Sequence, residues 1–272
     1  MSKNKIRLDI LLVQKGLVES REKAKSLIMA GKVFHENIRL DKPGMLVNED
    51  YCLTVKGELH PFVSRGGLKL AKAIQDFKLD LRGKVIADIG ASTGGFTDCA
   101  LQNGAVKVYA IDVGYGQLAW KLRNDRRVIS MERTNARFLK EDSLPEKVDL
   151  VVCDVSFISL VKVFPAMLSL LKESGQIIVL IKPQFEAGPK NVGKNGVVRD
   201  PAIHKHVLES ILNEAEKIGL IVLGLNYSPI RGPEGNIEFL AWFKKKNSSE
   251  ELGIDWYALL PTLVEQAQSG TE

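Results

Sequence analysis

Four charged residues of this sequence stand where side chains could act on a polar substrate. Asp154 and Lys182 each end an apolar run that is predicted to be a buried strand. Glu238 falls inside the apolar run Ile237–Phe243, and Lys69 follows a short glycine-containing block. Taken singly, each charge fits a solvated chain end or a structural ion pair. Together, lysines and carboxylates at one edge of a sheet predict a functional site.

A glycine-rich turn follows the predicted strand Val85–Ile89 and opens a predicted helix. Glycines let a backbone approach a ligand closely, and a helix N-terminus offers free N–H groups. Asp112 ends the next strand, where a carboxylate can accept both hydroxyls of a ribose. The predicted cofactor-binding residues are Asp88, Gly90, Ser92, Thr93, Gly94, Gly95, Phe96, Asp112 and Asp154.

Three ligand chemistries compete for this turn, beside the plain alternative of a turn without a ligand. A dinucleotide fold favours G-x-G-x-x-G, but Ser92 stands at the second glycine position. A serine hydrolase would use Gly90–Gly94 as a nucleophile elbow with His204 or His206, yet such an elbow normally comes after several strands. S-adenosylmethionine fits best, because its ribose suits Asp112 and it needs no phosphate-binding turn.

The chain lacks two sequence patterns, and their absence narrows the kinds of atom that could accept a methyl group. Amino-group methyltransferases usually carry an Asn/Asp-Pro-Pro-aromatic turn, whereas this chain has Asp154-Val155-Ser156-Phe157. Cytosine-carbon enzymes need a nucleophilic cysteine, commonly beside a proline. Cys153 has no such proline, and its sequence context predicts a buried strand residue. The charged residues at the strand ends therefore remain the candidates for chemistry.

The elements that must position these residues alternate between strand and helix. The predicted strands are Val85–Ile89, Val106–Asp112, Val128–Met131, Val148–Val155, Ile177–Ile181, Ile221–Tyr227 and Ile237–Phe243, and the predicted helices are Phe96–Asn103, Gln117–Leu122, Leu160–Leu171 and Ile203–Ile218. This order predicts a doubly wound parallel sheet with ligands at the carboxyl ends of its strands. The last two strands would form a hairpin with one antiparallel edge strand. The fold class is therefore α/β, of the Rossmann-like seven-strand methyltransferase type.

The N-terminal residues predict a separate small α+β module. Helical spacing covers Ile6–Lys15 and Ser20–Ala30, and short strands follow at Lys32–Phe34 and Tyr51–Val55. The first 32 residues hold eight basic and three acidic side chains, so they carry the whole formal net charge of +5. A basic lobe on a neutral body favours a polyanion-binding module, and a solvated helix face is the alternative.

Composition narrows the class of protein further. The 272 residues, 45% hydrophobic and 26% charged, suit a globular chain, which we divide into domains 1–60 and 61–272. Three cysteines, odd in number and without C-x-x-C spacing, indicate reduced thiols and no zinc site. The longest apolar runs are strand-sized, and no signal-peptide pattern opens the chain. We therefore expect a cytoplasmic protein without a metal and without membrane insertion.

The basic module resembles a known RNA-binding domain. The pattern Arg7-Leu8-Asp9…Leu12…Gly16-Leu17-Val18…Ser20-Arg21…Gly31-Lys32-Val33 resembles the domain first seen in small-subunit ribosomal protein four. It departs from that family at Phe34–Asn37, where a hydrophobic-Asn-Gly turn is usual. The resemblance implies that basic helices lie on RNA phosphates. The candidate RNA contacts are Arg7, Arg21, Lys23, Lys25, Arg65, Lys190 and Lys194. The last two belong to loop Gly188–Arg199, interpreted as an RNA-gripping lid or as a plain surface loop.

The large domain is similar to FtsJ-type ribose 2′-O-methyltransferases, which carry a Lys-Asp-Lys-Glu tetrad. With the basic module, the whole chain resembles the TlyA family, often labelled hemolysin. The matching blocks are Ser64–Leu70, Asp154–Ser159, Lys182–Glu186 and Gly235–Phe239. The resemblance implies S-adenosylmethionine-dependent 2′-O-methylation of cytidine in ribosomal RNA of the large, and sometimes the small, subunit. It implies ribosomal RNA or ribosomal subunits as partners, and Lys69, Asp154, Lys182 and Glu238 as catalytic residues.

Within this tetrad we assign Lys182 the role of orienting and deprotonating the 2′-hydroxyl. Two hypotheses of other classes stand beside this one. A non-catalytic RNA-binding factor with a degenerate fold is disfavoured by the complete turn and tetrad. A membrane-active hemolysin would need an amphipathic or apolar segment long enough for pore formation, and no segment of that size is visible in the sequence.

Overall fold

The structure is a computed structural model, which describes residues 5–18, 20–56, 61–246 and 253–270. The chain divides into two compact units, Met1–Leu59 and His60–Glu272. The predicted domain boundary at residue 60 lies outside the described residues. Each unit has its own apolar core.

Two helices, α1 (Leu8–Gln14) and α2 (Arg21–Met29), form the centre of the N-terminal unit and confirm the predicted helix pair. Ser20 caps α2, because its Oγ accepts a backbone N–H at 3.2 Å. Each helix is followed by a glycine with left-handed backbone, Gly16 at φ +67° and Gly31 at φ +66°. The core of this unit includes Leu8, Leu11, Leu12, Ala24, Ile28 and Val33.

Short strands complete the N-terminal unit. They are β1 (Lys5–Arg7), β2 (Val33–His35), β3 (Ile38–Arg39), β4 (Leu46–Asn48) and β5 (Leu53–Val55). β1 pairs with β4, and β2 lies between β3 and β5. β2 and β5 confirm the two predicted strands, and the other three were not predicted. The turn between β2 and β3 holds Glu36 at φ +54°, a left-handed value at a non-glycine residue.

A seven-stranded sheet forms the centre of the large unit and confirms the predicted fold class. Its strands are β6 (Val85–Ile89), β7 (Lys107–Ile111), β8 (Val128–Met131), β9 (Val148–Cys153), β10 (Leu171–Ile181), β11 (Leu220–Tyr227) and β12 (Phe239–Lys245). The spatial order is β11-β12-β10-β9-β6-β7-β8. Neighbouring residues of β6, such as Ile86 and Ala87, pack into two different clusters, so each face of the sheet carries a core.

The antiparallel strand does not lie at the edge of the sheet, so the prediction of an antiparallel edge strand was wrong. β12 runs antiparallel to both neighbours, β10 and β11, and β11 is the edge strand. Phe239, Leu240 and Phe243 are completely buried, as an interior strand requires. The hairpin pattern identifies the two paired strands, but it does not say which of them also pairs with β10.

Helices cover both faces of the sheet. They are α3 (Gly66–Asp76), α4 (Gly95–Gln102), α5 (Trp120–Arg123), α6 (Phe164–Leu170), α7 (Pro183–Glu186), α8 (Pro201–Lys217) and α9 (Trp256–Gly270). α4, α6 and α8 confirm predicted helices, and α5 is shorter and later than its prediction. α3 and α9 were not predicted, and α3 proves to carry one of the charged residues.

Candidate active site

The four charged residues meet at the carboxyl end of the parallel strands. Asp154 follows β9 directly, and Lys182 follows β10. Lys69 comes from helix α3 rather than from a strand. Glu238 was predicted inside a strand, but it directly precedes β12. Because β12 is antiparallel, its first residue pairs with the last residue of β10, which brings Glu238 to the same edge.

The four residues form two ion pairs. Lys182 Nζ lies 2.5 Å from Asp154 Oδ1 and donates a hydrogen bond to Ser156 Oγ at 3.0 Å. Lys69 Nζ lies 2.5 Å from Glu238 Oε2. Each lysine is therefore held by one carboxylate, and the four formal charges cancel.

The Lys69–Glu238 pair is the more deeply buried of the two. Its side chains are 9% and 1% exposed, against 11% for Lys182 and 18% for Asp154. Burial raises the pKa of Glu238 above its ordinary value, and the positive charges of Lys69 and Lys182 oppose that rise. Lys69 is therefore the partner that favours a carboxylate at this buried position.

Two cavities open over these pairs. The first, of about 580 Å³, is lined by all four charged residues. The second, of about 510 Å³, lies toward the end of β7 and is lined by Asp112 and Asn135. Both cavities share a lining of Gly90, Ser92, Asp154, Ser156 and Phe157. Adjoining cavities with a common wall suit a transfer reaction between two bound molecules.

The glycine-rich turn lies at the common wall. Gly90 has φ +84° and Gly94 has φ +97°, values that glycine adopts without strain. A Cβ on Gly90 would overlap the main-chain oxygen of Asp154, so glycine allows the ends of β6 and β9 to approach each other. Of the predicted cofactor residues in this turn, those that line the first cavity are Gly90, Ser92, Thr93, Gly95 and Phe96. Gly94 lies outside both linings.

Asp112 holds the turn and faces the second cavity. It accepts the N–H of Ser92 at 2.8 Å on one carboxylate oxygen and the N–H of Gly114 at 2.7 Å on the other. Each oxygen has a second lone pair, so both can still accept a hydrogen bond from a ligand. Its predicted contact with a ribose therefore stays a prediction that this geometry permits.

Asp88 lies beneath the turn, outside the lining of both cavities. Its buried carboxylate accepts the hydroxyl of Thr97, in the first turn of α4, at 2.6 Å. Oδ1 has no hydrogen-bond partner among the described residues. Burial raises the pKa of Asp88 to about 7, and the nearby charge of Asp154 adds to the rise. Asp88 therefore supports the turn from below.

The raised pKa of Asp88 predicts a pH-dependent stability. Between its ordinary pKa of 3.8 and the native value of about 7, the native state binds more protons than the unfolded chain. The free energy of unfolding contributed by this group is therefore present below pH 4 and is lost as the pH rises to about 7. We expect Asp88→Asn to gain stability relative to the wild type across this window, measured by thermal unfolding at several pH values. A difference that does not change with pH would contradict this expectation.

The residues that a serine hydrolase or a cytosine-carbon methyltransferase would need are not available for catalysis in this structure. His204 is buried on α8, where Nε2 bonds the Val198 carbonyl at 3.1 Å and Nδ1 faces Gln268 Nε2 at 3.1 Å. It is therefore committed to packing rather than to Ser92. His206 is exposed on the same helix and lies outside the lining of both cavities. Cys153 is completely buried in β9, and burial raises the pKa of its thiol. Neither a hydrolase base nor a thiolate nucleophile is therefore supported.

The predicted RNA contacts lie in both units. Arg7 and Arg21 are exposed in the N-terminal unit, and Lys23 and Lys25 lie half-buried on α2. In the large unit, Arg65 lines the first cavity.

The loop that carries Lys190 and Lys194 is anchored at one end. Both lysines are exposed. Asn236 Oδ1 accepts the Val198 N–H, and Asn236 Nδ2 donates to the Gly196 carbonyl, both at 2.9 Å. The interpretation of this loop as an RNA-gripping lid stays a hypothesis.

Three residues of the site were not assigned a role from the sequence. Ser156 binds Lys182, and Phe157 is 90% exposed at the wall between the cavities with φ +63°. Phe185 packs beside Phe157 with a centroid distance of 4.9 Å. The sequence signal for Phe157 and Phe185 was an aromatic residue shortly after a charged strand end. Sequence position alone does not show whether such a phenylalanine is exposed or buried, so this signal did not predict a site residue.

Comparisons with known proteins identify the family. The FtsJ-like methyltransferase family matches residues 62–245, and the S4 domain family matches residues 6–51. A 16S/23S rRNA (cytidine-2′-O)-methyltransferase, TlyA of Mycobacterium tuberculosis (strain CDC 1551 / Oshkosh), is 44% identical over 88% of this chain and 89% of its own. The chain belongs to the TlyA family. YqxC of Bacillus subtilis (strain 168), provisionally named an rRNA methyltransferase, is 53% identical to this TlyA-family chain over 88% of it and 86% of YqxC.

A solved structure supports the same assignment. A hemolysin-labelled protein from Streptococcus thermophilus matches the TlyA-family chain with a TM-score of 0.77 and 46% identity, covering 99% of this chain and 98% of the other. In the part of the chain that the structure describes, no helix is long and apolar enough to cross a membrane.

This TlyA-family chain is an S-adenosylmethionine-dependent methyltransferase with an S4 domain. The residues present fit that cofactor, because the glycine turn opens onto two adjoining cavities and Asp112 keeps free acceptor positions. Among the described residues, no group of three or more His, Cys, Asp or Glu side chains is arranged to hold a metal ion.

Proposed function

We propose that this enzyme methylates the 2′-hydroxyl of a cytidine in ribosomal RNA of the large subunit, and we extend the proposal to the small subunit. One observation carries the proposal: the Lys182 amine is bound by Asp154 and Ser156, two residues that line both cavities. The name of the Mycobacterium tuberculosis relative supports the choice of cytidine and of the 2′-oxygen.

The reaction needs a hydroxyl that is aligned with a methyl group and relieved of its proton. A ribose hydroxyl is a weak acid and a weak nucleophile, so its proton must leave while the oxygen–carbon bond forms. S-adenosylmethionine, when bound, supplies a methyl group on a sulfonium, which is an excellent leaving group. For this step the Lys182 ammonium must first release one proton to solvent. The neutral amine then orients the hydroxyl oxygen and accepts its proton, while Asp154 and Ser156 hold the amine in place.

The Lys69–Glu238 pair is assigned to the target ribose, because both side chains line the first cavity and their charges compensate each other. The cofactor is assigned to the second cavity and the turn beside it. Asp112 would accept the hydroxyls of its ribose, and the open backbone at Gly90 would leave room for it. Asp88 and Gly94 would act indirectly, through the shape of the turn.

An aromatic side chain at the cavity wall predicts a contact with a base. Phe157 is 90% exposed and has a left-handed φ of +63°. This backbone conformation costs free energy for a bulky residue, and such conformations cluster at functional sites. We expect Phe157→Ala to lower kcat/KM for RNA about tenfold through lost stacking, with the Kd of S-adenosylmethionine unchanged. Phe157→Tyr should retain activity. As a control, Tyr257→Ala removes an aromatic side chain that is 60% exposed on α9. Equal losses in both alanine variants would contradict a stacking role.

The N-terminal unit, together with Arg65, Lys190 and Lys194 of the large unit, is assigned to RNA docking. Contacts of this kind fall on phosphates and position the RNA, so the choice of nucleotide would depend on RNA shape. We place the enzyme in the cytoplasm, where ribosomal subunits are available to it.

The proposal is tested with S-adenosylmethionine labelled in its methyl group, offered to protein-free ribosomal RNA and to isolated subunits of both sizes. Incorporation at one cytidine that resists alkaline cleavage is the expected result. Cofactor binding without incorporation into any ribosomal RNA would contradict the proposed substrate. Absence of cofactor binding as well would favour the non-catalytic RNA-binding factor.

A further inference from the structure

A buried carboxylate sits beneath two of the arginines assigned to RNA. Asp9, in the first turn of α1, has no exposed surface although it belongs to the most basic part of the chain. Arg7 donates to both of its oxygens, from Nε to Oδ1 and from Nη2 to Oδ2, each at 3.0 Å. Arg21 Nη2 donates to Oδ2, also at 3.0 Å. One carboxylate therefore joins the start of α1 to the start of α2.

This arrangement fixes the spacing of the two guanidinium groups. Both Nη2 atoms bind the same oxygen at 3.0 Å, so they lie no more than about 6 Å apart. Two guanidinium groups this close would repel each other without the carboxylate between them. The spacing suits two arginines that grip the same phosphodiester group from two sides.

Both arginines keep donors that point away from Asp9. Their side chains are 44% and 48% exposed. A guanidinium has five N–H donors, and the bonds to Asp9 use only some of them. A Cβ at position 44 would lie 3.3 Å from Nη1 of Arg7, so glycine at this position avoids a tight contact with the guanidinium. Arg7 lowers the pKa of Asp9 to about 2, so the carboxylate stays charged at neutral pH.

We propose that Asp9 is a positioning residue that holds Arg7 and Arg21 as one preformed phosphate-binding fork for RNA. The inference rests on the proposed function, since it takes ribosomal RNA to be what the N-terminal unit binds. Preformation removes the cost of ordering two long side chains when the RNA binds. The fork therefore contributes affinity through its geometry and not only through its charge.

Charge and geometry predict opposite effects for one substitution. Asp9→Asn removes a negative charge beside a polyanion, so charge alone would strengthen RNA binding. The fork predicts the reverse, because an amide nitrogen cannot accept hydrogen bonds from a guanidinium and the two arginines lose their fixed positions. We expect the affinity to fall about five- to tenfold in spite of the added positive charge.

The experiment measures the Kd of the full-length chain for protein-free large-subunit ribosomal RNA over a range of salt concentrations. Arg7→Ala and Arg21→Ala should each weaken binding and lower the salt slope by about one. Arg7→Lys keeps the charge but cannot bind both oxygens of Asp9, so it should resemble Arg7→Ala. Lys15→Ala, which removes an exposed charge at the end of α1, is the matched control. It should weaken RNA binding only by the small amount that the loss of one exposed positive charge explains.

Further readouts separate the fork from folding and from the proposed function. Thermal unfolding of Asp9→Asn reports on the fold, and Arg7→Lys tests the fork even if Asp9→Asn fails to fold. Wild-type affinity in Arg7→Lys, or equal or tighter binding by folded Asp9→Asn, would overturn the fork alone. A wild-type chain that binds no ribosomal RNA would overturn the proposed function and the fork with it.

Discussion

Lys182→Ala is expected to lower the rate of methyl transfer about a thousandfold while leaving the Kd of S-adenosylmethionine unchanged. The amine belongs to a residue that lines the first cavity, and it is bound by Asp154 and Ser156, which line both cavities. Its removal takes away the group that we propose to orient the hydroxyl and accept its proton. The cofactor residues of the turn do not depend on the Lys182 side chain. Single-turnover transfer at saturating RNA and saturating cofactor is the measurement that isolates this step.

Two variants make the Lys182 result specific. Lys182→Arg keeps the positive charge but cannot accept a proton, so it should be almost as inactive as the alanine variant. Lys162→Ala removes an exposed lysine from the same edge of the domain and should behave as the wild type. Near-wild-type activity in Lys182→Arg would contradict the base role and leave orientation as the function of Lys182.

Glu238→Ala is expected to destabilise the large unit by about 3–5 kcal/mol, because it leaves the Lys69 ammonium buried without its partner. The variant should also be inactive. Chemical denaturation monitored by circular dichroism measures the first effect, and methyl transfer measures the second. As a matched control, Glu214→Ala breaks the exposed pair with Lys217 and should change stability far less, since solvent screens that pair.

A double variant separates stability from catalysis at this buried pair. Lys69→Met combined with Glu238→Leu replaces both charges by apolar groups and should recover most of the stability lost in Glu238→Ala. It should remain inactive, because the polar wall of the first cavity is gone. An active double variant would contradict the role of the pair in holding the ribose. A Glu238→Ala variant as stable as the wild type would contradict the claim that Glu238 stabilises the buried Lys69 ammonium.

Local patterns in the sequence predicted much of this fold. Apolar strand patterns and glycine turns are determined by neighbours along the chain. The sequence therefore predicted the carboxyl ends of two adjacent strands, from the run Val85–Ile89, the turn after it and Asp112. The large-domain site residues at strand ends followed from the same logic. Asp154 and Lys182 lie where the ends of their strands predicted them.

What the sequence did not predict depends on contacts between distant segments. The antiparallel β12 lies inside the sheet and Glu238 precedes it, since pairing with β10 decides where the strand begins. Lys69 reaches the site from a helix that had no predicted counterpart. Asp9 belongs to the sequence pattern that resembles the RNA-binding domain, but its burial beneath two arginines arises only when α1 and α2 pack together.

The most direct test of the account identifies the atom that receives the methyl group. Ribosomal RNA treated with the wild-type enzyme and labelled S-adenosylmethionine is digested to nucleosides, and the methylated product is fragmented by mass spectrometry, with Lys182→Ala as the control. The account predicts one labelled cytidine whose methyl group stays with the ribose fragment, and no label with Lys182→Ala. A methyl group on the cytosine base, or full labelling by Lys182→Ala, would contradict a ribose hydroxyl activated by Lys182.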